Sequence, residues 1–402
     1  MTATPSRRIG VVALARPTFD VPLAEAVAGE AFAALDATKH TLIGPRDLLF
    51  DADAARAALD ALSRETLDLL IILQVTFTDA TMTAEIARAV DAPLLIWAFP
   101  EARTGGRLRL NSFCGLNLAA HALGLIGRDP AWLHAAPGDA DLAPAIEDAI
   151  AGHRPDAPGT IRRGIADDVG ERVATRLTGA RIGLVGRHPD GFDTCRFDDD
   201  DLMARFGAEV PRARLDTLFR NAGKIEEARA RAVRERVDAE LTGADGVDQE
   251  QLDRSCRLFA ALQDVVETKS LDAMAVRCWP ETFTEYGCAA CGPMAMLTQD
   301  GVPAACEADV WGAITSLMMT EAAGAPAWLV DVVDLDDASD TGVVWHCGLA
   351  PLEMADPEAT PTVDLHSNRK MPLRGSFPLK PGRITLSRLS QAREEPHLAK
   401  HS

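Results

Sequence analysis

The chain has 402 residues, 47% hydrophobic and 25% charged, the composition of a globular protein large enough for two or three cores. A formal net charge of −19 argues against a nucleic-acid partner, because phosphate binding needs clustered Lys and Arg. No run approaches the roughly 20 apolar residues of a membrane span, and the apolar stretch Ile9–Ala15 is cut by Arg16-Pro17 before it could act as a signal peptide. The eight scattered cysteines, with no export signal, imply reduced thiols and a cytoplasmic location.

Ile9–Leu14 reads as a first buried strand, and Ala24–Ala34 follows with helical spacing. Thr41–Ile43 and Ala52–Leu62 repeat the pair. Leu67–Leu73 is a continuous apolar run of the kind buried on both faces of a parallel sheet. Thr81–Val90 is predicted helical and Pro93–Phe99 another buried strand. This rhythm over residues 1–150 predicts a doubly wound, Rossmann-like α/β domain with ligands at the carboxyl ends of its strands. No GxGxxG follows the first strand, so no dinucleotide site is expected.

Residues 139–180 read as polar helix leading into a second doubly wound domain, 151–335, whose strand pattern restarts at Arg181–Gly186. Two long charged helices are predicted near Lys224–Leu241 and Gln249–Val266, then short strands at Leu271–Val276 and Val302–Ala305. A helix over Ala308–Ala323 places Trp311, Ile314, Thr315 and Met318 on one face and stops at Gly324. Pro326–Val333 and Val343–Trp345 read as strands joined by the acidic turn DLDDASDTG, in which Asp334, Asp336 and Asp337 are expected to be solvated. Residues 336–402 form a short β-rich segment with a strand at Gly382–Leu389 and a polar tail.

The chemistry concentrates between Met274 and Pro351. Arg277, Glu281, Glu307, Asp331 and His346 each come directly after an apolar run, so separate strand ends bring carboxylates and an imidazole together. Such a donor set suits a hard divalent ion. Glu307 is also placed at a helix mouth, where the dipole favours a carboxylate. His346 is either a ligand or a satisfied core histidine. Arg277 suits an anionic substrate group, with a surface ion pair as the alternative. Trp279, Glu281 and His188 are further candidate substrate contacts. Cys288-x-x-Cys291 lacks a second pair at zinc spacing, so both thiols are read as buried structural residues.

The segment CEADVWGA at 306–313, followed by WLVD at 328–331, resembles the second domain of the L-fucose/L-arabinose isomerase-like family. There a Glu opens an E-x-D-x-x-G-A helix and an Asp stands at the spacing of Asp331; NSFCGLN at 111–117 and PGRITLSRL at 381–389 are similar landmarks. The resemblance implies an aldose–ketose sugar isomerase acting through an ene-diol, with Mn²⁺ or Mg²⁺ held by Glu307 and Asp331, and one of the two acting as base. It further implies a homo-oligomer, a trimer or hexamer, in which the first domain of one subunit caps its neighbour's site, so that Asn111 contacts a neighbour's sugar. The family's closing C-terminal histidine has no match in context among His346, His366, His397 and His401. Either the third ligand differs, with His346, or His121 or His188 from a neighbour, as candidates, or the metal site is incomplete or the chemistry changed. Two other classes fit the same residues: a non-catalytic two-lobed sugar sensor, and a metal-dependent lyase or epimerase acting on a sugar or sugar acid.

Overall fold

The structure, a computed structural model, describes residues 6–153, 168–336, 338–392 and 395–401. The middle of the polar stretch 139–180 and Asp337 of the acidic turn lie outside these residues. The architecture is mixed α/β, with two parallel sheets and three small antiparallel pairs.

In the N-terminal part, β1 (Arg8–Leu14) leads to α1 (Val21–Asp36), β2 (Thr41–Ile43), β3 (Leu48–Leu49) and α2 (Ala52–Leu62). Then come β4 (Leu69–Gln74), α3 (Thr81–Ala89), β5 (Leu94–Ala98), α4 (Ser112–Leu125), β6 (Ala131–His134) and α5 (Leu142–Ile150). The sheet order is β2-β1-β4-β5-β6, with β3 also beside β1. Helices on both faces bury β4 completely, which is why its sequence is apolar without alternation. Each of Leu69–Leu73 contributes about 1.5–3 kcal/mol by leaving water. The strand order reverses between β1 and β4, the place where doubly wound sheets bind ligands, and Arg16 and Phe77 follow those two strands.

The second sheet is built from α6 (Asp168–Leu177), β7 (Ile182–Val185), α7 (Asp199–Phe206), β8 (Arg212–Ala213), α8 (Leu215–Ala222), α9 (Glu227–Glu240), α10 (Gln249–Lys269) and β9 (Ala273–Val276). It is completed by α11 (Cys291–Gln299), β10 (Ala304–Ala305) and α12 (Val310–Ala323). Its order, β10-β9-β7-β8, is again parallel. After it come the hairpin β11 (Asp331–Asp336) and β12 (Thr341–Trp345), the pair β13 (Thr362–Asp364) and β14 (Arg374–Ser376), and the pair β15 (Leu386–Ala392) and β16 (Glu395–His401).

Four expectations shift. The segment after β5 carries helix α4, where the sequence predicts no element. The helix expected from Ala308 starts at Val310, because Asp309 caps it by accepting the Gly312 N–H at 2.9 Å. The strand expected over Pro326–Val333 begins only at Asp331, where β12 first offers a partner through the pairing of Asp331 with Trp345. Asp334 is not solvated as expected. It is buried, accepting from the Glu101 N–H at 3.2 Å and pairing with Arg103 at 2.6 Å, and so fastens the hairpin to the N-terminal part.

Candidate active site

The carboxyl ends of both parallel sheets open onto one cavity of about 1340 Å³. Arg16 and Phe77 reach it from the first sheet, and Trp279 and Glu307 from the second. Asp331 and His346 come from the hairpin, whose register sets Asp331 opposite Trp345 and therefore beside His346.

Glu307 follows β10 in a left-handed turn, with φ of 60° at Glu307 and 54° at Ala308. Two successive non-glycine residues in that region cost of order 1–3 kcal/mol each. The turn is held by the Ala308 N–H donating to Val276 O at 3.0 Å and the Asp309 N–H donating to Cys306 O at 3.1 Å. The dipole position at the helix mouth therefore belongs to Asp309, not to Glu307 as the sequence suggested. Asp309 is in turn clamped by Arg388 through both carboxylate oxygens.

Burial pushes the Glu307 carboxyl up to about 8, with the Asp331 and Asp309 charges adding to the shift, while Cys306 and Trp279 hydrogen-bond it. Burial also raises Asp331, which the nearby His346 and a hydrogen bond with Cys114 oppose. The Cys114 thiol is raised by burial and then by the charges of Asp331 and Glu307. Two half-buried carboxylates thus share one pocket.

Ligand atoms of Cys306, Glu307 and His346 lie within 4.8 Å of one another. The residues fit a divalent ion, because a dication would relieve the repulsion between Glu307 and Asp331 that burial intensifies. For His346 the fit has a condition. Its Nδ1 accepts the Cys347 N–H at 2.8 Å, which puts the proton of the neutral ring on Nε2, 3.1 Å from the Cys306 sulfur. An ion taken through Nε2 displaces that proton. The sequence gave no hint that Cys306 meets an imidazole, since the two are 40 positions apart.

Asn111 lies at the start of α4 with φ of 50° and lines the same cavity. The Glu101 carboxylate positions it by accepting the N–H groups of Arg109, Leu110 and Asn111 at 2.6, 3.0 and 2.6 Å. The Asn111 Oδ1 is buried without a hydrogen-bond partner. Cys114 of the same helix bonds Asp331, and both Asn111 and Cys114 line the cavity of this chain. His121 also lines this chain's cavity, where burial lowers its basicity.

Three other expected contacts lie apart. Arg277 pairs with Glu281 at 2.6 Å, and its guanidinium donates to the carbonyls of Arg187 and His188 at 3.1 and 3.2 Å. The four-residue spacing brings the ion pair together, so Arg277 and Glu281 stabilise the loop after β7 and do not line the cavity. His188 turns its Nδ1 to the Pro189 carbonyl, 3.0 Å away, and also stays outside. Trp279 does line the cavity. Cys288 and Cys291 are both buried, and Cys291 faces Cys347, sulfur to sulfur, at 3.4 Å, rather than Cys288.

Residues 10–152 match the sequence profile of the fucose/sulfoquinovose isomerase N-terminal domain. The chain is 28% identical over 380 residues to a sulfoquinovose isomerase of Priestia aryabhattai, covering 94% of this chain and 81% of that one. It is 29% identical to a sulfoquinovose isomerase of Clostridium sp. (strain MSTE9), over 91% of this chain and 77% of that one. A third sulfoquinovose isomerase, of Alkalicoccus urumqiensis, is 28% identical over 95% of this chain and 82% of its own length. With the α/β fold and the carboxylate-lined cavity, these likenesses define an isomerase that acts on a sugar. Together the N-terminal match and the relatives' coverage of most of the chain support a fucose isomerase-like family for this protein. No helix among the described residues is long and apolar enough to cross a membrane.

Proposed function

We propose that the chain is a metal-assisted aldose–ketose isomerase whose substrate is a hexose bearing a terminal anionic group, of the kind the relatives' name, sulfoquinovose isomerase, specifies. The observation that carries the reading is the pair of half-buried carboxylates, Glu307 and Asp331, which line one cavity of about 1340 Å³ close enough for the Asp331 charge to raise Glu307. Glu307 and Asp331 would hold Mn²⁺ or Mg²⁺, joined by His346 once its Nε2 proton leaves. A bound divalent ion supplies Lewis-acid polarisation of the sugar carbonyl and a common anchor for two adjacent substrate oxygens.

The chain's own residues do the rest. A proton on carbon is weakly acidic, so it must be taken by a base held in place. One of the two carboxylates takes the proton from C2, beside the aldehyde carbon, giving an ene-diolate. The O2 hydroxyl proton passes to O1, and the carboxylic acid returns its proton to C1 as C2 becomes the ketone carbonyl. Trp279, hydrogen-bonded to Glu307, keeps that carboxylate turned to the cavity. The unpartnered Asn111 Oδ1 is available to a sugar hydroxyl. The apolar Phe77, Phe192 and Trp279 keep water from the intermediate.

The test is conversion of a sulfonated aldohexose in D₂O with added Mn²⁺, followed by proton NMR. Ketose should appear, with deuterium at the carbon next to the carbonyl. A sugar that binds tightly but is neither converted nor exchanged would leave a sensor instead.

A further inference from the structure

Away from the carboxylates, the cavity wall changes sign. Arg16 follows β1, and its guanidinium stacks over Phe77 and Trp279 with its carbon 5.6 and 5.5 Å from the ring centres. Asp79 pairs with it from one side. Arg369 approaches from the turn His366–Lys370 and stacks over Phe283 at 6.0 Å. It has no carboxylate partner among the described residues. The two cations are close enough to lower the basicity of Arg16, which burial lowers first and more strongly. Arg369 also adds to the burial that holds His366 neutral.

With Arg16 paired to Asp79, the Arg369 guanidinium is the uncompensated charge on this part of the cavity wall, and in a chain of net charge −19 it favours an anion there. A polar group also waits there. Ser367 is 8% exposed, lines the same cavity, and its hydroxyl has no hydrogen-bond partner. A buried hydroxyl left unpaired costs free energy, so this one is built for a ligand atom. Position supplies the last element. Trp279 hydrogen-bonds Glu307 and carries Arg16 on its ring, so a single indole separates the cationic end from the reacting end.

We propose that Arg16, Ser367 and Arg369 form a subsite for the tetrahedral oxyanion at the far end of the sugar, and that this subsite fixes which carbons face Glu307 and Asp331. The occupant is a sulfonate, an assignment that rests on the isomerase reading above; a sugar phosphate shares the chemistry and is separated from it by the test. Two planar guanidinium forks and one hydroxyl can donate to all three sulfonate oxygens. Asp79 orients Arg16, and Gly191 lets the loop after β7 close over it. A Cβ at Gly191 would stand 2.6 Å from both Asp79 Oδ1 and Thr81 Oγ1.

The experiment compares wild type, Arg16→Gln, Arg369→Ala and Arg369→Lys on a sulfonated, a phosphorylated and an unsubstituted hexose. Methanesulfonate binding is followed in parallel by calorimetry. Losing one charge-assisted pair should raise KM for the sulfonated sugar on the order of 30–100-fold, with kcat changed far less. Arg369→Lys should recover part of the loss. Preference for the sulfonated over the unsubstituted sugar should collapse in the Gln and Ala variants, and methanesulfonate should bind wild type, Arg369→Lys more weakly, and neither of the other two. A wild type that prefers the phosphate ester replaces the sulfonate assignment. Unchanged sugar preference and unchanged methanesulfonate binding in correctly folded variants overturn the subsite. If wild type converts no sugar yet binds methanesulfonate through these arginines, the isomerase reading fails and the anion subsite stands.

Discussion

Asp309→Asn and Asp309→Ala test how the strained turn at Glu307 is kept in place. The Asp309 side chain is 7% exposed and that of Arg388 29%. One carboxylate oxygen caps α12 by accepting from the Gly312 N–H at 2.9 Å and also takes an Arg388 Nη2–H at 3.0 Å. Arg388 donates to the Thr194 carbonyl as well, at 2.9 Å, so the guanidinium ties β15 to the site. Removing the cap acceptor costs about 1 kcal/mol. Breaking a buried ion pair costs roughly 3–5 kcal/mol, and the partly exposed Arg388 places this pair at about 3. Asp309→Asn keeps a capping oxygen and should lose roughly 3 kcal/mol, whereas Asp309→Ala loses both and should fall by roughly 4 kcal/mol. Urea unfolding followed by circular dichroism measures both. If Asp309→Asn lies within about 1 kcal/mol of wild type, the clamp has no weight, and something else holds the Glu307 turn.

Gly191→Ala forces a Cβ to 2.6 Å from Asp79 Oδ1 at a φ of 76°, and should destabilise the protein by about 1–3 kcal/mol in the same assay. Asn111→Gly suits the left-handed φ of 50° and removes an oxygen with no partner, so stability should hold while substrate KM rises on the order of 10-fold in a steady-state assay. Burial, then the Arg369 charge, lowers His366 from 6.5 to about 3. The unfolded chain therefore binds the proton first, and the part of the stability due to His366 is complete above pH 6.5 and lost as pH falls towards about 3. Urea unfolding at a series of pH values should show that slope in wild type and a flatter one in His366→Gln.

The parallel strands were legible because a strand buried on both faces must be apolar throughout, as Leu69–Leu73 is. Helix α4 escaped notice for a related reason. It is buried on nearly every side, so its apolar residues show little periodicity, and it opens on an Asn in a left-handed conformation instead of a capping side chain. Glu307 and Asp331, which both line the cavity, stand out in the sequence because each comes directly after an apolar run and the family resemblance singles out their spacing. Their partners were not. Cys114, Cys306, Arg369 and Arg388 reach the site through tertiary contacts that leave no local pattern. Arg277 and Glu281 misled because a charged residue at a strand end looks the same in sequence whether it faces a ligand or, as here, its neighbour four positions on.

The central claim is that Glu307 and Asp331 together hold a divalent ion at the floor of the cavity. Calorimetric titration of Mn²⁺ into the wild-type protein, Glu307→Gln, Asp331→Asn and Cys288→Ala tests it most directly. Wild type and Cys288→Ala should bind the ion alike, and each carboxylate variant should bind on the order of 100-fold more weakly. Carboxylate variants that take up Mn²⁺ as wild type does would contradict the account.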